Sequence, residues 1–265
     1  TPEPQYTPIG ALTVTAAQLR DGSAAQKAAS AGAGAIVVEM KGINGKLTWQ
    51  SGAELAATLG VSAADDKTAQ AVRELAQDGS LYLVARVHCF RDPVLSNGKI
   101  GSLRTKKGKI WYDRRGVCWS SPADQQAADY LSALCLELAD MGFDEILLDD
   151  AGYPWDGEVN VLATGDNRPE DRTVPVSAFL TRLSGELRER EVALSVYAYE
   201  KLLPGEEVYS GLTAAVLAQN AGRVWLDQRV DPGHYESVLT AAGLDNPAAR
   251  IVAPAASGRE GSWYR

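Results

Sequence analysis

Short apolar runs alternate along this chain with longer amphipathic stretches. Ala35–Met40 (Ala-Ile-Val-Val-Glu-Met), Leu81–Val87, Glu145–Leu148, Ala193–Ala198 and Arg223–Leu226 are near-continuously apolar and short, as strands buried on both faces of a parallel sheet must be. Ala11–Thr15 and Arg250–Ala253 bring the strand candidates to seven. Stretches of helical period separate them: Ser23–Ala31, Asp65–Gln77, a long one opened by Ser121-Pro122 and running to Asp140, Val176–Arg190, Leu212–Asn220 and Gly233–Ala241. One helix per crossover and no hairpin signal predict a parallel α/β fold. No Gly-x-Gly-x-x-Gly follows an early strand, and polar residues gather after nearly every strand end. Both features favour a (β/α)8 TIM barrel over a doubly wound sheet. The eighth strand is the ambiguous one. The final β/α unit is incomplete or irregular, or Ala214–Ala218 is a strand and not a helix.

The length of 265 residues suits one such barrel. We expect a single barrel domain over residues 9–265, preceded by a Pro-rich tether over residues 1–8. Two segments break the rhythm. Residues 93–122 form a long loop holding Trp111, Tyr112 and Trp119, and its aromatic content argues for order. Residues 157–173 form a polar, Gly/Asp/Arg-rich insertion.

Composition narrows the function. The chain is 45% apolar and carries a net charge of −8, so it is globular and its surface repels nucleic-acid phosphates. The short basic loop Arg104–Lys109 reads as a solvated face. No apolar run reaches the length of a membrane helix. Three cysteines, Cys89, Cys118 and Cys135, form no Cys-x-x-Cys pair and read as free buried thiols. Two histidines are too few for a His-rich zinc site, although an all-carboxylate calcium site stays open. No Gly-x-Ser-x-Gly elbow is present, which argues against a serine hydrolase. No cofactor or metal is expected.

In a (β/α) barrel the chemistry sits at the carboxyl ends of the strands. The central run, Met141 to Asp156, ends a helix at Gly142 and delivers two adjacent acids, Asp149 and Asp150, into a Gly-Tyr-Pro-Trp loop. Alternation places Glu39 and Lys41 on one face, as it does Arg86 and His88, and Tyr197 and Tyr199. Asp149 and Asp150 must diverge if the strand continues through them. Several carboxylates with His, Tyr and Trp, and no cofactor motif, make the palette of glycoside hydrolysis. There one carboxyl protonates the leaving oxygen and another attacks or activates water.

Longer motifs carry a resemblance. Tyr82-Leu-Val-Ala-Arg-Val-His-Cys-Phe-Arg-Asp-Pro93, Gly108-Lys-Ile-Trp111, Ala127-Ala-Asp-Tyr130, Gly142-Phe-Asp-Glu-Ile-Leu-Leu-Asp149, Tyr153-Pro154, Ala35-Ile-Val-Val-Glu-Met-Lys-Gly42 and Pro232-Gly-His-Tyr235 resemble the putative glycosyl hydrolase domain family, over about residues 8–254. The resemblance implies a barrel of the α-amylase-like kind that acts on or binds a polysaccharide, usually at a bacterial cell envelope. It carries the family's strand-4 acid onto Asp149, its strand-2 lysine onto Lys41 and its His-Tyr pair onto His234-Tyr235. The sequence departs from the family in three places. Glu39 stands for an Asp, Gly152 for an Arg, and Asp227-Gln-Arg-Val-Asp-Pro232 for an apolar stretch.

Together these readings predict an extracellular or envelope glycoside hydrolase. Asp149 is the expected nucleophile or base, Glu200 the proton donor and Asp227 a third carboxylate. Glu39, Lys41, Arg86, His88, Asp92, Trp111, Trp119, Asp150, Tyr153, Trp155, Tyr197, His234 and Tyr235 are expected to bind carbohydrate. Each has a bland counterpart. Strand-end acids cap helices or bind loop amides, Glu39 and Lys41 form an ion pair, His88 is a hydrogen-bonded core histidine, and the tryptophans fill loop cores. The alternative function is a degenerate barrel that binds glycan, or an envelope protein partner, without cutting.

Overall fold

The computed structural model describes residues 5–203 and 206–265. Eight parallel strands close into one barrel in chain order: β1 (Gly10–Val14), β2 (Ala35–Lys41), β3 (Tyr82–His88), β4 (Glu145–Asp149), β5 (Ala193–Ala198), β6 (Arg223–Leu226), β7 (Ile251–Pro254) and β8 (Trp263–Tyr264). The ambiguous eighth strand is thus at the C-terminus. It is two residues long and bridges β7 and β1, too brief for any periodicity to reveal. Ala214–Asn220 is a helix, capped by the Thr213 hydroxyl on the amide of Val216.

Local chemistry sets the element ends. The helix Gln125–Met141 starts where Asp124 accepts from the Ala127 amide, so Ser121 and Pro122 lie in the turn before it. It stops at Gly142, whose φ of 112° suits glycine. Asp231 and Pro232 open the helix Pro232–Ala241 in the same way. The long loop is ordered. Antiparallel bridges Ser102–Ser120, Arg104–Ile110 and Tyr112–Cys118 fold it back on itself, and a helix, Pro93–Asn97, begins it.

Two apolar layers result, as barrel geometry requires. Ala35, Val37, Val84, Leu147, Tyr197, Trp225 and Val252 fill the interior. Ile36, Val38, Ala85, Ile146, Leu148, Val196 and Val224 face the helices. All three cysteines are free and buried. Of the expected Pro-rich tether, residues 1–4 lie outside the described residues. Tyr6 packs its ring on Arg223 and Arg250, 5.0 and 5.5 Å from the guanidinium carbons, so this part of the segment docks on the lower rim of the barrel.

Candidate active site

Two local irregularities shape the upper end of the barrel. The β2–β3 register shifts between Glu39 and Lys41, where Glu39 pairs with Arg86 but Lys41 pairs with Val87. Such a bulge turns the following side chain to the other face. Glu39 stays on the barrel side, while Lys41 swings outward. The second irregularity is Asp150, whose φ of 50° is left-handed, a conformation that Asp tolerates better than most residues. Strict alternation would send Asp150 away from Asp149. The left-handed turn brings both carboxyls to His88 instead.

His88 is the hub. Its Nδ1 lies 3.0 Å from Asp150 Oδ2, and its Nε2 lies 3.2 Å from Glu39 Oε2. Asp149 Oδ2 is 3.7 Å from Nδ1. Burial opposes charge on the imidazole, but the bonds to Asp150 and Glu39 and the charges of the two aspartates prevail and raise its pKa to about 9. The same bond holds Glu39 below the usual carboxylate range. Asp150 moves the other way, because burial and the neighbouring Asp149 both push its carboxyl up. Asp149 is fully buried. Arg86 donates to its Oδ2 from Nε at 2.7 Å and again from Nη2, and the Tyr199 hydroxyl donates to Oδ1.

Above this network opens a cavity of about 240 Å³, lined by residues that include Arg86, His88, Asp150, Trp155, Tyr199 and Asp227. Asp227 also walls a neighbouring cavity of about 590 Å³ that extends past Tyr197, Pro254 and Tyr264. Asp227 Oδ1 accepts from Arg229, at 2.9 Å from the amide and 2.6 Å from Nε. Trp155 stacks on Tyr199, with ring centroids 5.6 Å apart and planes inclined by 16°. Tyr197, Tyr264 and Trp225 continue the aromatic column down into the barrel. Trp119 forms another cavity wall, fixed by its indole N–H on Asp113 at 3.1 Å.

Other expected residues serve the scaffold. Lys41 is wholly buried and does not pair with Glu39. It bonds Asp92 at 2.7 Å and the His88 carbonyl at 2.7 Å. Asp92 meanwhile caps the helix Pro93–Asn97 through the amides of Val94 and Leu95. The pair is out of reach of a ligand and anchors the end of β3 beneath His88. Glu200 follows Tyr199 and turns away from both cavities. Its two oxygens accept from the amides of Tyr209 and Ser210, at 2.6 and 3.0 Å, so it folds a loop. With Asp150 it borders a recess of about 20 Å³, too small for a sugar. Trp111 is loop core, its indole bonded to the Glu158 carbonyl. Tyr153 is buried against Ser121. His234 and Tyr235 pin the loop after β5 through the carbonyls of Leu202 and Glu200. A Cβ at Gly152 would stand 2.3 Å from the Ser210 carbonyl oxygen, which is why no larger residue fits there.

Alternation already put Tyr199 with Tyr197, yet its bond to Asp149 was not foreseen. Arg91, Asp113, Arg114, Arg115 and Arg229 also reach the cavity, from loops where no periodicity marks them. As a metal site, one ligand atom each of His88, Asp149 and Asp150 lie within 4.8 Å of one another. However, a cation there would face the Arg86 guanidinium already bound to Asp149, so the donor set fits a proton network better.

A family model described as a putative glycosyl hydrolase domain matches residues 11–228. Among solved structures, a hypothetical protein from Ruminiclostridium thermocellum ATCC 27405 aligns with a TM-score of 0.58 at 23% identity, covering 70% of this chain and 96% of that one. A class V chitinase from Pseudomonas fluorescens Pf-5 gives a TM-score of 0.54 at 16% identity, covering 92% and 67%. The galactosidase domain of an alpha-galactosidase-sucrose kinase gives 0.54 at 13%, covering 93% and 33%. At such identities the likeness concerns the fold, which hosts many substrates. No curated protein matches the sequence.

Proposed function

The chain belongs to the family described as a putative glycosyl hydrolase domain, and from that premise we propose that this glycosidase uses Asp150 as its proton donor and Asp227 as its second carboxylate. One observation carries the assignment. Asp150 and Asp227 line the same cavity, and burial with the adjacent Asp149 charge holds the Asp150 carboxyl up, the direction a proton donor needs. In hydrolysis Asp150 protonates the glycosidic oxygen. Asp227 acts on the other side of the sugar, on the anomeric carbon or on a water. Asp149, gripped by Arg86 and Tyr199, is the fixed negative charge below, which favours the oxocarbenium-like state. His88 stands between Asp150 and the exposed Glu39, a hydrogen-bonded path to solvent along which a proton from water returns to Asp150 after each turnover.

This reading differs from the Asp149–Glu200 pair expected from sequence, because Glu200 spends both oxygens on loop amides. The substrate follows less directly. The aromatic column at the cavity supports a carbohydrate packed on Trp155, and two adjoining cavities suit an oligomer. The test is a product assay on the parent, Asp150→Asn and Asp227→Asn with a panel of polysaccharides, read by mass spectrometry. Oligosaccharides released by the parent alone support the assignment, and undiminished release by either variant removes that residue from it. Glycan binding without any release by the parent would favour the non-cutting barrel.

A further inference from the structure

We propose that the rim of the cavity selects a glycan bearing an anionic substituent, a carboxylate, sulfate or phosphate; the inference rests on the glycosidase reading above. The cavity lining contains five arginines and no lysine, in a chain whose net charge is −8. They divide into two kinds. Arg86 and Arg91 direct both Nε and a terminal nitrogen at one acid each, Asp149 and Asp113. These two are wall residues.

Arg114, Arg115 and Arg229 behave differently. Arg229 meets Asp227 through Nε, and Arg114 meets Asp156 through Nε at 3.3 Å. Among the described residues, the terminal guanidinium nitrogens of both make no hydrogen bond, and no acid forms an ion pair with the Arg115 guanidinium. Each acid thus lies nearest the Nε side of its guanidinium, and the terminal nitrogens are left without hydrogen bonds. The forks are also accessible, with the Arg114 and Arg229 side chains 74% and 57% exposed. Arg229 is held at the cavity wall by the Trp155 and Tyr199 rings, at 5.5 and 6.0 Å. Unpartnered arginines on a convex surface are ordinary. Three that line one concavity beside an aromatic platform bring several unbonded donors to one place. A guanidinium fork matches a planar or tetrahedral oxyanion bidentately, which an ammonium does not. Asp113 accepts from the Arg115 amide at 2.8 Å, but its ion pair is with Arg91, so the Arg115 guanidinium adds a positive charge to the rim without an ion-pair partner of its own.

The experiment compares the parent with the double variant Arg114→Ala/Arg115→Ala, neither residue being assigned to the chemistry. The probes are oligogalacturonate, its carboxyl-reduced neutral match, a sulfated carrageenan oligosaccharide with its desulfated match, and a phosphorylated mannan with its dephosphorylated match. Hydrolysis is measured on the parent and double variant, and binding is titrated on both in the Asp150→Asn background. We expect one anionic member to exceed its neutral match by at least about tenfold in kcat/KM and in affinity, at the low end for hydrogen bonds between charged groups. The double variant should lose that factor in KM and affinity with kcat unchanged, and the preferred probe identifies the substituent. Equal or better handling of the neutral matches, or an unaltered preference in a double variant of parental melting temperature, would overturn the inference and leave the glycosidase reading intact. No cleavage of any probe counts against the glycosidase reading, while the titrations still decide between charged and neutral ligands.

Discussion

β4 carries an acid at each end, and each acid meets an arginine. At the lower end Glu145 pairs with Arg223; at the upper end Asp149 pairs with Arg86. The chemistry is the same and the surroundings are not. Glu145 is wholly buried, and its oxygens also accept from Tyr82 at 3.1 Å and Trp225 at 2.8 Å. Arg223 spends its remaining donors on the carbonyls of Ala249 and Thr7. The Glu145 carboxylate and all three Arg223 guanidinium nitrogens thus have protein partners, and Tyr6 lies over the guanidinium. At the upper end Arg86 is 26% exposed. Next to it are a histidine with a raised pKa, a second aspartate in a left-handed conformation, and a cavity. A sealed ion pair spends its groups on holding the strands together. An open one leaves groups over for a ligand, in line with the general division of barrels into a stabilising lower face and a catalytic upper face.

The largest way to test this contrast is Asp150→Asn. We expect kcat to fall by about 10²–10⁴, the usual contribution of a general acid, while the thermal midpoint stays near that of the parent. A loss below about tenfold would remove the upper end's claim to the chemistry. Next in size is Glu145→Ala at the sealed end. Breaking a buried pair by removing one partner costs about 3–5 kcal/mol, to be read from urea unfolding, with kcat per folded molecule little changed. Arg86→Met should cost less stability than Glu145→Ala, roughly half or below, because solvent already screens part of its guanidinium; its activity should fall as well. Equal stability losses at the two ends would erase the contrast. A further test is pH dependence. His88 titrates near 9 when folded against an ordinary value of 6.5, so the folded protein holds its proton longer than the unfolded chain does. The stability it contributes is complete below about pH 6.5 and is lost as pH rises through about 9. Urea midpoints taken across that window should decline in the parent and flatten in His88→Gln.

The barrel was legible because its strands are buried on both faces, which leaves apolar runs at regular spacing. β8 was not, since Trp263 and Tyr264 are a pair of residues with no pattern to read. Alternation correctly grouped Arg86 with His88, and Tyr197 with Tyr199. It failed where the backbone departs from an ideal strand. The bulge after Glu39 sends Lys41 outward to Asp92, and the left-handed Asp150 returns to His88 instead of diverging. Neither departure leaves a mark in single-sequence periodicity. Glu200 sits where a strand-end acid should matter, but its role depends on the loop that brings the Tyr209 and Ser210 amides back to it. Arg114 and Arg229 come from irregular segments, so their meeting at one cavity is a product of tertiary structure alone.

The central claim, that Asp150 gives the proton, is tested most directly by varying the leaving group. A dinitrophenyl glycoside departs without protonation, whereas an alkyl glycoside of the same sugar requires it. Rates of the parent, Asp150→Asn and Glu200→Gln are to be measured on both. The account predicts that Asp150→Asn loses about 10²-fold or more on the alkyl glycoside but keeps most of its rate on the dinitrophenyl one, with Glu200→Gln near the parent on both. Equal losses by Asp150→Asn on the two substrates, or the selective loss appearing in Glu200→Gln, would contradict it.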